Sequence, residues 1–163
     1  MAPREVNGIL VVWVGRRPPA PVEELTEEYA RRVARFVPLA QVRVPPAEGR
    51  AGDPGRALAR ERAAIGRHLT ASDTIVALDE RGRERTTAEL AGWLGRRTGP
   101  GRTVFVIGSD LGLDPELKRG AHELLALSRL TLPHQLARVL LLEQLYRASD
   151  LLAGGQYHRG HTG

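Results

Sequence analysis

Residues 8–14 read GILVVWV. A strand with one wet face alternates apolar and polar side chains, and this run does not alternate. It is rich in β-branched residues and predicts a strand covered on both faces, the kind found in parallel sheets packed between helices. The rest of the chain agrees with that constraint. Val22, Leu25, Tyr29, Val33 and Phe36 recur at steps of three and four, which is a helix face over 22–36. Its acids come early and its arginines late, as the helix dipole favours. QVRV at 41–44 is a second strand, closed by Pro45-Pro46. A loop rich in glycine, proline and charge spans 47–56, and a helix bearing Leu58, Ile65 and Leu69 follows. DTIVALD at 73–79 is a third strand, and Thr86-x-x-Glu89 fits a capping box that opens a short helix through Leu94. TVFVIG at 103–108 is a fourth strand, and Asp114-Pro115-Glu116 starts a helix running to about residue 125. LSRLTL at 127–132 is a fifth short strand or extended segment, and Pro133 opens a last helix to about residue 152. Five alternations in 163 residues, without a repeat or low-complexity linker, predict one α/β domain over 1–163. Its sheet is mostly parallel, with helices on both faces.

Composition narrows the chemistry. There is no cysteine, which excludes disulfides, thiolate catalysis and zinc–cysteine sites. The five histidines show no HxxxH or HExxH spacing, so no metal is expected. The N-terminus lacks a basic leader and a cleavage site. Arg138, Glu143 and Arg147 interrupt the last helix, so no membrane span is expected and the cytoplasm is the expected location. Twenty-four basic residues against 19 acids leave a net charge of +5, which draws polyanions such as nucleic acid. Lys118 is the only lysine, a bias typical of a GC-rich genome.

Ligands of such sheets bind outside the carboxyl ends of the strands, here after Leu78, Ile107 and Leu132. VALDERG at 76–82 puts Leu78 and Asp79 at a strand end, and taken alone it reads better as a core leucine and an exposed turn acid than as a site. VIGSDLGLDPE at 106–116 puts glycines between strand and helix, where backbone can approach a ligand, but it is neither GxGxxG nor a Walker loop. A glycine-rich turn is the alternative, and Asp110 would repel a phosphate. His134 and Arg138 lie four apart near a helix start and could equally be structural. The last helix is apolar over more than one face, which suits a central core position or a homodimer interface. The tail QYHRGH offers a ring, a titratable group and a cation, or merely a frayed end.

Together, LSRLTLPHQLARVLLLEQLYRA, the preceding FVIGxxxGL and the terminal Tyr-His carry a likeness. The chain resembles the bacterial ribosomal RNA large subunit methyltransferase H family of the SPOUT superfamily, over essentially its whole length. The resemblance implies a homodimer with a C-terminal trefoil knot, a topology that general rules disfavour. It implies transfer of methyl from S-adenosylmethionine to N3 of a pseudouridine in 23S rRNA of the assembled ribosome. The implied cofactor-binding residues are Leu78, Gly108, Leu127, Ser128, Arg129, Leu130, Thr131 and Leu132. His134 and His158 are the implied base candidates and Arg138 an orienting cation. Tyr157, His158 and Arg159 are expected to meet RNA, reaching the partner's site. Arginines 50, 56, 60, 81, 83 and 85 are expected to grip phosphates. Two departures stand out: GSDLGL where the family reads GGxxGL, and Gln156 where it has proline. The first favours a rival reading, a non-catalytic ribosome-binding or assembly protein with the same fold.

Overall fold

The computed structural model describes residues 7–47, 52–97 and 100–157. Five parallel strands lie in the order β2-β1-β4-β3-β5: β1 (Ile9–Val14), β2 (Leu39–Val44), β3 (Thr74–Glu84), β4 (Thr103–Ile107) and β5 (Glu123–Ala126). The helices between and after them are α1 (Ala20–Ala34), α2 (Pro54–Gly66), α3 (Thr87–Gly95), α4 (Pro115–Gly120) and α5 (His134–Leu152). Every residue of β1 and of β4 is buried, as their unbroken apolar runs require.

Side chains alternate across the sheet and build two cores. On one face Val11, Trp13, Phe105 and Ile107 meet Val33 of α1, Leu90 and Leu94 of α3, and Leu141, Leu142 and Leu145 of α5. On the other, Leu10, Val12, Val104 and Val106 meet Ile65 of α2 and Leu117 of α4. The three α5 leucines are fully buried within this chain. Each contributes about 2 kcal/mol of apolar burial. Most of the apolar surface of α5 is therefore core, and only Leu136 and Leu152 of its leucines stand about half exposed.

The start signals hold. Thr86 Oγ1 accepts the Glu89 N–H at 3.1 Å while Glu89 accepts the Thr86 N–H at 2.7 Å, a complete capping box. Asp114 accepts the Glu116 N–H at 2.8 Å with Pro115 at the first helical position. Two boundaries need correction. The helix expected over 114–125 ends at Gly120, and the fifth strand is Glu123–Ala126, not 127–132. The leucines of ELLA and LSRLTL look alike in sequence. What separates them is pairing: Ala77 and Leu78 of β3 are in register with Leu124 and Leu125. Residues 127–132 run on past the sheet without a strand partner. β3 is also longer than the expected 73–79. It bulges after Leu78, so that both Leu78 and Arg83 are in register with Leu125. The bulge throws Asp79, Glu80 and Arg81 out over the end of the sheet, as β-bulges do beside sites.

Candidate functional site

A cleft of about 770 Å³ opens at the carboxyl ends of β3, β4 and β5. Three segments build it: the β3 bulge, the loop Gly108–Leu113 after β4, and the segment Leu127–Pro133 between β5 and α5. Of the cofactor positions expected from the sequence, Leu78, Gly108, Leu127, Ser128, Leu130, Thr131 and Leu132 all line it. Arg129 does not; its side chain points to solvent, 3.6 Å from Glu84.

The wall at 127–132 is held from outside. Thr131 Oγ1 donates to Glu80 at 2.9 Å, and the Leu130 N–H donates to Ser128 Oγ at 2.9 Å. Among the described residues no backbone–backbone hydrogen bond engages residues 127–132. Apart from the Leu130 N–H, which Ser128 takes, their amides and carbonyls make no such turn or loop bond, while Leu78, Leu127 and Leu132 supply apolar surface.

The glycine loop is a tight turn in its own right. The Gly112 N–H donates to the Ser109 carbonyl at 2.8 Å, and Gly112 has φ +81°. A Cβ on Gly108 would lie 2.3 Å from the Gly112 carbonyl oxygen, so no side chain fits. Ser109, the departure from GGxxGL, turns its hydroxyl toward α2. It donates to Glu61 Oε2 at 3.0 Å, and Glu61, only 4% exposed, also accepts the Ala47 N–H at 3.1 Å. Asp110 reaches the other way and meets His134 Nδ1 at 2.9 Å. With that contact Nδ1 carries the proton, and Nε2 is the free acceptor. Nε2 is buried without a partner and faces Gly15, where a Cβ would come within 2.9 Å.

Asp79 stands at the mouth of the cleft, accepting from the Arg81 N–H at 2.8 Å and from Lys118 Nζ at 2.9 Å. Burial raises its pKa, but these two donors outweigh burial and leave it lower than usual. The cleft thus keeps a paired Asp79–Lys118 edge that sequence reading left as a turn acid. A lone lysine among 23 arginines was its only signal.

His134 lines this cleft, but Arg138, one turn later, does not. It is buried, donating to Glu23 at 3.1 Å and Thr26 at 2.7 Å, with its guanidinium 3.9 Å from the Trp13 ring centroid. It ties α5 to α1 and β1. Tyr157 packs on the far end of α5: its ring lies 4.6 Å from that of Tyr146 and 4.8 Å from the Arg147 guanidinium, and its N–H donates to Asp150 at 2.9 Å. His158 and Arg159 lie outside the described residues, as does Arg50. Of the other arginines expected to grip phosphates, Arg56, Arg60, Arg81 and Arg83 are exposed. Arg85 is committed to Glu123 through two hydrogen bonds of 2.9 and 2.7 Å. Among the described residues no group of three or more acids and histidines could hold a metal ion, and no helix is long and apolar enough to cross a membrane.

Residues 8–158 match a family described as predicted SPOUT methyltransferases. The chain is 46% identical over 151 residues to the ribosomal RNA large subunit methyltransferase H of Thiobacillus denitrificans, covering 91% of this chain and 97% of that one. It is 43% identical over 159 residues to the Bradyrhizobium diazoefficiens protein of the same name, covering 93% and 98%. In fold it is similar to a probable methylase family protein from Haemophilus influenzae (TM-score 0.55, 14% identity, 93% of this chain and 70% of that one). It is also similar to a probable methyltransferase from Bordetella pertussis (TM-score 0.53, 18% identity, 88% and 95%).

Proposed function

Because the chain belongs to the SPOUT methyltransferases, and within them to the ribosomal RNA large subunit methyltransferase H family, we propose that it methylates N3 of a pseudouridine in large-subunit rRNA, with S-adenosylmethionine as donor. The observation that carries the reading is the convergence of seven expected cofactor positions on one cleft at the carboxyl ends of three strands.

The residues present suit that cofactor. The cleft volume is in the range that holds a nucleoside-sized ligand. Leucines offer an apolar slot for adenine, the extended backbone of 127–132 can bond its edge, and Gly108 leaves room for close approach. When bound, S-adenosylmethionine supplies a methyl group already made electrophilic by its sulfonium. What remains for the protein is positioning and removal of the N3 proton from the acceptor. In this reading Asp110 fixes the His134 tautomer, and the ring of His134 closes the inner end of the cleft against Gly15. Its enclosed Nε2 reaches a substrate only if the ring turns. The reading therefore gives the role of base to His158, supplied by the tail of a second subunit. The geometry of α5 supports that assignment: Tyr157 folds back near Glu143 and Asp150, at the opposite end of the helix from His134. The reading includes a homodimer with the knotted C-terminal topology of the family, acting on the assembled ribosome in the cytoplasm.

The rival non-catalytic reading rested on Ser109 and Asp110. Both side chains are tied to protein partners, Ser109 to Glu61 and Asp110 to His134, which supports the enzyme over that rival. Calorimetric titration with S-adenosylmethionine should give one site per subunit in the micromolar range, about −8 kcal/mol. Labelled methyl should then pass to ribosomes that lack the modification. No heat and no transfer would end the reading. Mixing His134→Ala with His158→Ala subunits should return part of the activity, since one site of a mixed dimer is then intact.

A further inference from the structure

A second cavity, of about 400 Å³, lies at the carboxyl ends of β1 and β2. Trp13, Arg17, Glu23, Gln41, Arg43 and Arg138 line it. Three guanidinium groups share it with one carboxylate, an excess of two positive charges in a confined space. Arg138 is 3% exposed, and both its hydrogen bonds leave from Nη2. Its Nε has no partner, and neither has the buried amide oxygen of Gln41. Burial works against the charge of Arg138 and Glu23 only partly restores it. Arg43 gives one bond, from Nη1 to the Gly15 carbonyl at 3.1 Å. Arg17 is exposed and makes no hydrogen bond or ion pair within the described residues. Buried polar groups are nearly always satisfied, so the unmet Nε–H of Arg138, set in a cluster with two excess positive charges, marks a place for an anion, while the Gln41 oxygen, an acceptor, calls for a donor beside it.

We infer that this cavity binds a backbone phosphate of the RNA strand, gripped by Arg17 and Arg43 in front of the fixed guanidinium of Arg138. The inference rests on the RNA substrate proposed above and assigns a separate contact for it. Guanidinium forks match phosphate oxygens in pairs. The position suits a strand whose target base enters the cofactor cleft. His134 lines that cleft, Arg138 one helical turn later lines this cavity, and Gly15 stands between them, touching the His134 ring on one side and Arg43 on the other.

The test is fluorescence anisotropy of labelled protein titrated with ribosomes that lack the modification, over a salt series. Wild type, Arg17→Ala, Arg17→Ala/Arg43→Gln and the surface control Arg67→Ala would be compared. The double variant should bind about tenfold more weakly or worse, and its log–log salt slope should be shallower by about 0.8, the loss of one phosphate contact. Arg67→Ala should match wild type. Unchanged affinity and slope in the double variant would overturn the inference. So would a change of oligomeric state with ribosome affinity intact, which would give the cavity to a second copy. Saturable micromolar binding of inorganic phosphate alone would also overturn it, by assigning a free anion rather than a strand. Arg17→Ala removes a side chain without partners, so it reads the site without unfolding the protein. S-adenosylmethionine titration of each variant separates the two readings: loss of cofactor binding in wild type sinks the enzyme, whereas the ribosome isotherms still decide the cavity.

Discussion

Ser109 donates its hydroxyl to the buried carboxylate of Glu61 at 3.0 Å, across 48 residues of chain. This bond turns a departure from the family's glycine into a tether between the cleft loop and α2. Glu61→Ala should leave the Ser109 hydroxyl and the Ala47 N–H without their acceptor and destabilise the fold by about 1–3 kcal/mol. It should also weaken S-adenosylmethionine. Ser109→Gly, which restores the family residue, should cost about 1 kcal/mol and loosen cofactor binding rather than improve it. Denaturant melts and calorimetry on both variants check this, and tighter binding in Ser109→Gly would contradict it.

Gly108→Ala puts a methyl group where the Gly112 carbonyl already sits. The loop must move, so cofactor affinity should fall by at least about tenfold, a loss of about 1.4 kcal/mol. The two cores lie beneath the loop and should keep most of their stability. Equal losses in melting and in binding would show that the loop is part of the core instead.

Arg138→Met keeps the apolar stem of the side chain but removes the guanidinium, so Thr26 and Glu23 lose their donor and the Trp13 face its cation. A loss of about 2–4 kcal/mol in a denaturant melt is expected. Loss of methyl transfer at full stability would instead make Arg138 a residue of the reaction.

Asp73 accepts Nε and Nη2 of Arg102 at 3.1 and 2.8 Å. That pairing, helped by the Thr70 N–H and opposed by burial, lowers its pKa from 3.8 to about 2. A carboxylate with a depressed folded value contributes stability above its unfolded pKa and loses it as pH falls through the folded one. The contribution, about 2 kcal/mol, should therefore be complete above about pH 4 and fade toward pH 2. Asp73→Asn should be less stable at pH 7 and should flatten the acid limb between those values. An unchanged limb would assign acid unfolding to other carboxylates.

Local rules carried the sequence reading furthest where a few neighbouring residues settle the outcome. Thr86 and Glu89 cap α3, and Asp114-Pro115 starts α4, because each signal closes within one turn. The reading failed at ELLALSRLTL, where both halves are apolar and only pairing with β3 tells strand from wall. The strand ends that open the cleft were legible from the alternation of strands and helices, whereas its individual positions at Leu78, Gly108 and 127–132 came from the family resemblance. The Asp79–Lys118 pair, 39 residues apart, and the Glu61–Ser109 tether left no local trace.

The sequence by itself determined a parallel sheet covered on both faces, since GILVVWV and TVFVI are unbroken apolar runs alternating with helices, and it pointed to the ends of β3 and β4 where the cleft lies. Only the tertiary structure decided the directions of His134 and Arg138. One helical turn separates them, yet one faces the cofactor cleft and the other an arginine-lined cavity. Helix spacing says that they are neighbours. What each meets depends on Gly15, Trp13, Glu23 and Thr26, brought there by packing of α1 and β1 against α5 and not by any distance along the chain.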